Sequence, residues 1–398
     1  MSVSGYLHLI RKIVLFANSG NRIRVSVQLV DVQSEVQFWG EKYDRELSDI
    51  FAVQDDIARR VTDSLRVAFV SRERRERRTE DIDAYTHYLR GRTLLYERTE
   101  SSMKEALRQF EEAAEKDPGY ARAYAGMADA HYLLGYFDYI PKREAYAKAK
   151  RLATKALSLD GALAEAHATL GAILEHYSND YAGAEVEFKQ AISLKPSYAQ
   201  AHHWYAITLA AMGRLEEALE QMRVAEECDP LSPQIKTIRG TMLSWAGRDE
   251  EALAYWEAVL STNPDFHLLY FHRAIHYIAR GDRDHALADI RRKEKLTPGD
   301  LLCIFLSGYA GARFGDIQKT KEAISRLKTL SSRKGAVPDL VAHLYASMGD
   351  KDSFFEWANR AVDEQAFEPH DVRYSKLYGD IRADPRYRKL LRRIGLTG

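Results

Sequence analysis

The fold is decided by the stretch 199–230, which reads AQAHHWYAITLAAMGRLEEALEQMRVAEECDP. In its first half, near Gln200–Met212, apolar and small residues such as Ala206 and Leu209 recur with the 3.6-residue period of a helix face. Gly213 follows, where a helix end commonly needs a left-handed residue that glycine adopts without strain. The first half therefore predicts a helix that ends at Gly213.

The second half of the same stretch predicts another helix, Leu215–Cys228. Ala218, Met222 and Ala225 would share the inner face of this helix. Pro230 closes the unit, because proline lacks the amide donor that a continuing helix needs. One unit is thus a hairpin of two helices.

The hairpin recurs along the chain with a period of 34 residues. The in-phase glycines are Gly213, Gly247, Gly281, Gly315 and Gly349, and the in-phase prolines are Pro196, Pro230, Pro264 and Pro298. Unrelated amphipathic helices would not keep phase over this length, so the pattern predicts a stacked array of one unit. Such an array offers an extended binding surface rather than a preformed catalytic pocket.

Three classes of residue share this phase and resemble the tetratricopeptide repeat (TPR). They are small residues at Ala206, Gly240, Ala274 and Gly308, alanines at Ala218, Ala252 and Ala286, and bulky residues at Met222, Trp256 and Ile290. The resemblance covers residues 84–368 as an array of about eight units. It implies a mostly α fold, a TPR-type α-α superhelix (solenoid).

The residues before the array follow a different period. Arg22–Asp31 alternates strictly between apolar and polar side chains, which predicts a half-buried strand, and Val36–Tyr43 predicts a second one. A helix is expected from about Asp49, with Ser48 as its N-cap. Two strands and one helix are marginal as an independent core, so residues 21–70 are interpreted as a small, incomplete α/β segment.

The segment Asn21–Leu65 resembles the TolB-amino-terminal-like domain of bacterial regulators. In those proteins the domain lies between an amino-terminal effector and a TPR array, and the effector is often a class III adenylate/guanylate cyclase or a winged-helix DNA-binding domain. Roughly 20 residues precede the first predicted strand, too few for either effector. A truncated or frame-shifted gene start and a shortened regulator both stay open. The other segments are an unassigned amino-terminal segment (1–20), a charged linker (71–83) and a carboxy-terminal capping segment (369–398).

Composition argues against several classes of partner. The 58 Lys and Arg balance the 58 Asp and Glu, so global charge gives no reason to expect nucleic acid or an anionic membrane surface. The arginine run of residues 72–78 is interleaved with Glu73 and Glu76, which favours a solvated linker. Cys228 and Cys303 are expected to be reduced thiols of a cytoplasmic protein. No apolar run approaches the length of a membrane span.

Candidates for catalytic, metal or cofactor chemistry are weak. His272 and His276 lie four residues apart on a predicted helix, but Arg273 follows the first histidine where a zinc-protease helix carries glutamate. The glycine cluster of residues 308–315 matches neither a dinucleotide fingerprint nor a phosphate loop. We therefore expect no catalytic residue, no metal and no cofactor, and we expect that the chain is not an enzyme.

The TPR resemblance also implies a binding groove, because the first helix of each unit lines the concave face of such arrays. The residues that the resemblance places there are Gln200, His203, Ile207, Gln234, Thr237, Thr241, Leu268, Phe271, Ile275, Leu302, Phe305 and Tyr309. This groove changes from polar to strongly apolar, which suits a hydrophobic peptide or an amphipathic helix. Alternatively, the chain's own segment Val372–Ile394 covers the groove, and the sequence favours neither arrangement. The TPR subtype that grips a terminal carboxylate with basic groove residues is not expected, since the relevant positions hold His203, Thr237 and Phe271.

Two functional hypotheses follow from the sequence. The first is a protein–protein interaction scaffold or regulatory protein that binds a peptide or partner protein in the concave TPR groove. The alternative is a truncated or split component of a signalling protein, either a class III adenylate/guanylate cyclase or a winged-helix transcriptional regulator, that lacks its effector domain. No nucleic-acid partner is expected, and a homo-oligomer is one option for the assembly.

Overall fold

Two compact units, residues 1–80 and 81–398, make up the chain. The computed structural model describes residues 10–19, 22–31, 37–46, 79–137, 139–334, 338–364, 367, 373–374 and 378–396. The predicted helix from Asp49 and the arginine run of residues 72–78 lie outside these ranges.

The first unit contains a three-stranded antiparallel sheet in the order β1-β2-β3. Its strands are β1 (Ile10–Ser19), β2 (Arg22–Asp31) and β3 (Gln37–Glu46). β2 has the bounds that the alternation predicts, and β3 overlaps the second predicted strand. β1 was not anticipated, because its residues were left unassigned in the sequence. An irregularity in the β2–β3 register falls between Leu29 and Val30.

The second unit is helical, with eighteen helices among its described residues. They are α1 (Ile82–Leu95), α2 (Glu100–Lys116), α3 (Ala121–Tyr136), α4 (Lys142–Leu159), α5 (Ala164–Ser178), α6 (Tyr181–Leu194), α7 (Ala199–Ala211), α8 (Leu215–Cys228), α9 (Pro233–Trp245), α10 (Asp249–Thr262), α11 (His267–Arg280), α12 (Arg283–Leu296), α13 (Leu301–Arg313), α14 (Ile317–Lys334), α15 (Pro338–Ser347), α16 (Lys351–Asp363), α17 (Gly379–Ala383) and α18 (Pro385–Arg393).

The helices from α1 to α16 pack as eight successive pairs. Each odd-numbered helix packs most extensively against the even-numbered helix that follows it. The first helices of neighbouring pairs also pack against one another, except that α7 and α9 do not do so to the same extent. This is how a repeat array buries its apolar faces, since one pair alone cannot cover its own. The mostly α fold and the solenoid architecture predicted from the period are confirmed.

The turns within the pairs use glycine as the sequence predicted. Gly213 has φ +87° between α7 and α8, and Gly247 has φ +79° between α9 and α10. An L-residue with a Cβ is strained at these angles, whereas glycine is not. α8 has its predicted bounds, and α7 begins and ends one residue before its predicted ones.

Small residues allow the two helices of a pair to approach closely. Ala218, Ala252 and Ala286 are fully buried. Gly308 is just as tightly packed, because a Cβ added there would lie 2.6 Å from the Cβ of Ala323. A Cβ at Gly311 would lie 2.8 Å from the carbonyl of Asp316. These two members of the glycine cluster therefore serve helix packing.

The short helices α17 and α18 follow the last pair. α18 packs against α16 and buries Tyr387, Leu390 and Leu391. Arg386, at the start of α18, lies 4.4 Å from the ring centroid of Phe355 on α16. None of the helices that the structure describes has the length and apolar character that crossing a bilayer requires.

Candidate functional site in the concave groove

The first helices of the central and later pairs converge on a cavity of about 270 Å³. Nine of the twelve predicted groove residues line it, namely His203, Ile207, Gln234, Thr241, Leu268, Phe271, Ile275, Leu302 and Phe305. The other three lie nearby: Gln200 bonds to His203, Thr237 is buried within α9, and the Tyr309 ring stacks on Phe305 at 5.4 Å between centroids. We call this cavity with its lining the groove.

One wall of the groove is apolar and is formed by α11 and α13. Phe271 and Phe305 face each other with ring centroids 6.4 Å apart. Leu268 and Phe305 are nearly fully buried, whereas Phe271, Ile275 and Leu302 retain partial exposure. The partly exposed side chains are the apolar surface that an occupant could cover.

The polar part of the groove, which we call its polar end, includes Arg98 from the turn between α1 and α2. Arg98 has φ +56°, a left-handed conformation that is uncommon for a residue with a Cβ, and it is only 8% exposed. Its Nη2 donates to Gln200 Oε1 over 3.4 Å. Its backbone carbonyl accepts a hydrogen bond from His267 Nε2 at 3.2 Å. The first hairpin turn therefore reaches residues of α7 and α11.

Charge at this polar end is unbalanced. Burial, together with the cation of Arg92, lowers the pKa of Arg98 to about 10, so the guanidinium stays charged at neutral pH. The carboxylate of Asp129 acts electrostatically on Arg98, but it pairs with Arg92 at 2.7 Å. Within the described part of the chain, Arg98 forms no salt bridge. Burial and the Arg98 charge lower the pKa of His203 to about 3, which keeps this imidazole neutral.

Tyr374, from the carboxy-terminal part of the chain, covers part of the groove. The Tyr374 ring stacks on Trp245 at the end of α9, with centroids 5.2 Å apart and an interplanar angle of 18°. Its hydroxyl donates to the carbonyl of Ala210 over 2.7 Å. Tyr374 also lines the cavity. The sequence left open whether the groove is free for a partner or covered by the chain's own carboxy-terminal segment. In the structure Tyr374 occupies part of the groove, and a cavity remains beside it.

The histidine pair on α11 is used in packing. His276 Nδ1 lies 2.8 Å from Ser244 Oγ, and its ring meets the Trp256 indole edge-on at 5.2 Å. His272 lines the groove, and burial followed by the Lys293 charge lowers its pKa to about 4. In the described ranges, no cluster of three or more His, Cys, Asp or Glu side chains has an arrangement that could hold a metal ion.

The two cysteines are free, Cys303 buried and Cys228 half-buried. Burial raises the pKa of both thiols, that of Cys303 to about 12. Since the thiolate is the nucleophilic form of cysteine, Cys303 is a poor nucleophile at neutral pH.

Sequence reasoning missed the contribution of Arg98. It lies in a turn 102 residues before Gln200, its partner in the groove. No spacing or motif marks a single arginine in a turn. Its contact with the groove depends on the superhelical path that brings the first hairpin turn next to α7 and α11.

Comparison with known proteins agrees with the repeat geometry. A tetratricopeptide-repeat family model matches residues 175–240. The chain is 34% identical over 164 residues to a putative adenylate cyclase 3 of Rhizobium meliloti (strain 1021), and 32% identical over 149 residues to the transcriptional regulator HilA of Salmonella typhimurium. These matches cover 39% and 37% of this chain but only 27% of each relative. The solved Cut9–Hcn1 hetero-tetramer of the APC/C is similar with a TM-score of 0.53 at 14% identity, over 80% of this chain and 59% of that one.

The family model places a tetratricopeptide repeat at residues 175–240, and the Cut9–Hcn1 likeness shows a similar fold over 80% of this chain. Proteins with this fold are typically non-enzymatic scaffolds. The candidate site is the groove, with one apolar wall and one charged, buried part.

Proposed function

We propose that this protein is an interaction scaffold that holds an apolar segment of a partner protein in the groove. The observation that carries the proposal is the apolar wall of α11 and α13, where Phe271, Ile275 and Leu302 line the cavity while keeping partial exposure. An occupant that covers these side chains removes apolar surface from water, worth about 25 cal/mol per Å². We place this scaffold in the cytoplasm, since its cysteines are free thiols.

Selection of displayed random peptides on the full chain tests this proposal. We expect enrichment of peptides with two or more bulky apolar residues at helical or extended spacing. Phe271→Asp should weaken binding of the enriched peptides by about tenfold or more, because a carboxylate would then lie in the apolar wall. Binding is measured by fluorescence anisotropy with synthetic peptides.

The matched control is Val186→Asp, which makes a comparable change at a helix position that is 66% exposed. It should leave peptide affinity unchanged. Circular dichroism of both variants should match that of the wild type. If Phe271→Asp unfolds, the wall is internal core, and if no apolar peptides are enriched, the scaffold proposal fails.

A second candidate function rests on the two curated relatives, a putative adenylate cyclase and a transcriptional regulator. On this proposal the array is the regulatory part of a signalling protein, and the strands before it belong to a TolB-amino-terminal-like domain. Sequencing the genomic region upstream of Met1 tests it. An in-frame cyclase or winged-helix sequence would support the proposal, and an unrelated gene directly upstream would count against it.

A further inference from the structure

Three side chains at the polar end of the groove each carry a buried atom without a hydrogen-bond partner among the described residues. These atoms are Arg98 Nη1, His203 Nε2 and Gln234 Oε1. All three side chains line the same cavity, and Arg98 and His203 are 8% and 3% exposed. Buried polar groups normally find partners in the protein or in bound molecules, so such a cluster facing one cavity indicates a polar ligand group.

Gln200 fixes the proton on His203. A guanidinium can only donate, so the Gln200 atom facing Arg98 is the amide oxygen, and the amide nitrogen must face His203. That nitrogen donates to His203 Nδ1 over 3.1 Å. Since Nδ1 accepts and the ring is neutral, the ring proton lies on Nε2. His203 Nε2 and Arg98 Nη1 are therefore both N–H donors that need an acceptor.

The acceptor that fits these donors is anionic. Arg98 is a buried cation without an ion pair among the described residues, and such a charge is costly until a counter-charge is supplied. A carboxylate has two acceptor oxygens and binds guanidinium through short, charge-assisted hydrogen bonds. Gln234 can meet the same ligand with either end of its amide, because no partner fixes the orientation of its carbonyl.

The apolar lining and the volume of the cavity indicate the size and character of the remaining part of the ligand. The lining of the same cavity also includes Ile207, Ile238, Leu268 and Phe271, which offer contact to hydrocarbon. The cavity volume of about 270 Å³ lies below the roughly 300–1,000 Å³ of pockets that hold drug-sized molecules. The occupant is therefore small, with one anionic end and an aliphatic body.

We propose that the groove binds a small aliphatic carboxylic acid, whose carboxylate accepts hydrogen bonds from Arg98 Nη1 and His203 Nε2 and whose chain lies along the apolar lining. This site uses Arg98 from the first hairpin turn together with residues of α7, so a ligand here also fixes the turn to the array. The proposal does not depend on the scaffold function, because it rests on polar atoms of Arg98 and His203 that the scaffold proposal does not use. A small acid and a protein segment would compete for Phe271.

Isothermal titration calorimetry of the full chain with octanoate, octan-1-ol and acetate tests the proposal. Octanoate should bind at least tenfold more tightly than either octan-1-ol, which lacks the charge, or acetate, which lacks the chain. Equal binding of octanoate and octan-1-ol would show an apolar cavity only. No detectable octanoate binding would mean that water provides the hydrogen-bond partners of the three polar atoms. Either result overturns the proposal.

Two variants locate the carboxylate. Arg98→Met should weaken octanoate binding by about tenfold or more, while thermal unfolding of the ligand-free protein stays at the same temperature or rises. Arg280→Met is the matched control, because it removes another cation that lines the cavity but is already paired with Asp249. It should change octanoate affinity less than twofold. An equal loss of octanoate affinity in both variants, or no loss in Arg98→Met, would refute the assigned site. Peptide binding is tested separately by Phe271→Asp.

Discussion

At the scale of single residues, close packing within a helix pair depends on positions that must be small. Gly240 on α9 faces the indole of Trp256 on α10, and a Cβ at Gly240 would lie 2.6 Å from Trp256 Nε1. Trp256 is fully buried, and its N–H donates to the Thr237 carbonyl over 3.1 Å. The ring cannot withdraw without losing this hydrogen bond, so the glycine is a steric requirement.

Gly240→Ala is therefore expected to destabilise the protein by about 1–3 kcal/mol through overpacking. Helix propensity alone would make the same substitution stabilising, because it favours alanine over glycine by roughly 0.5–1 kcal/mol in a helix interior. The measurement is the midpoint of urea unfolding followed by circular dichroism. Gly161→Ala is the control, since a Cβ there meets only the Leu157 carbonyl at 3.8 Å. An unchanged or raised midpoint for Gly240→Ala would contradict the steric argument.

Some residue-scale features could be predicted from the sequence, and others could not. Gly213 and Gly247 were predictable because a left-handed turn is a local need that one residue type meets best. Arg98 also has positive φ, yet no rule of residue type marks it. Its contacts to Gln200 and His267 depend on the superhelical path of the chain.

At the scale of elements, α18 closes the end of the array. α16 is the last helix of the eight pairs and presents Phe354 and Phe355, both buried. α18 packs against α16 and buries Leu390 and Leu391, which are 1% exposed. Terminal repeats of a solenoid need such a cap, because no further repeat covers their outer face.

Leu391→Ala should loosen this end of the array first. Loss of the buried side chain leaves a cavity that costs about 2–5 kcal/mol. Hydrogen exchange read by mass spectrometry should show faster exchange in α16 and α18, with little change in α5. Lys389→Ala, at an exposed position on the same helix, should leave exchange unchanged. Uniformly faster exchange in the whole array would instead mean that α18 is not a local cap.

Element prediction succeeded where periodicity was strong. The bounds of β2 and α8 followed from periods of two and 3.6 residues. β1 was missed because Arg11 and Lys12 interrupt its apolar pattern, and because the strand forms by pairing with β2, which a local pattern does not show.

In the candidate site, nine of the twelve residues carried over from the repeat phase line the cavity, whereas Arg98 and Tyr374 lie outside the phase.

At the scale of the whole helical unit, contacts between distant repeats tie the array together. A solenoid is expected to have contacts only between neighbouring repeats. Here the Tyr96 hydroxyl donates to Asp229 Oδ2 over 3.3 Å, and His267 donates to the Arg98 carbonyl, 169 residues away in sequence. Tyr374 likewise bonds to Ala210, 164 residues before it. The groove is therefore bounded by segments from both ends of the helical unit.

His267→Ala tests this closure. Loss of one hydrogen bond, worth about 0.5–1.5 kcal/mol net, should raise amide exchange in the α1–α2 turn and the start of α2 by roughly twofold to tenfold. In a solenoid without closure, a substitution on α11 would not reach the first hairpin, so unchanged exchange there would refute the closed arrangement. His285→Ala is the matched control on the neighbouring helix, because its exposed imidazole bonds to the nearby Asp282 at 2.8 Å and stacks on Tyr277 of α11. If amide exchange in the α1–α2 turn rises with His267→Ala but not with His285→Ala, and exchange in α5 stays unchanged, the effect is transmitted through this turn. A general loss of stability would raise exchange in α5 as well.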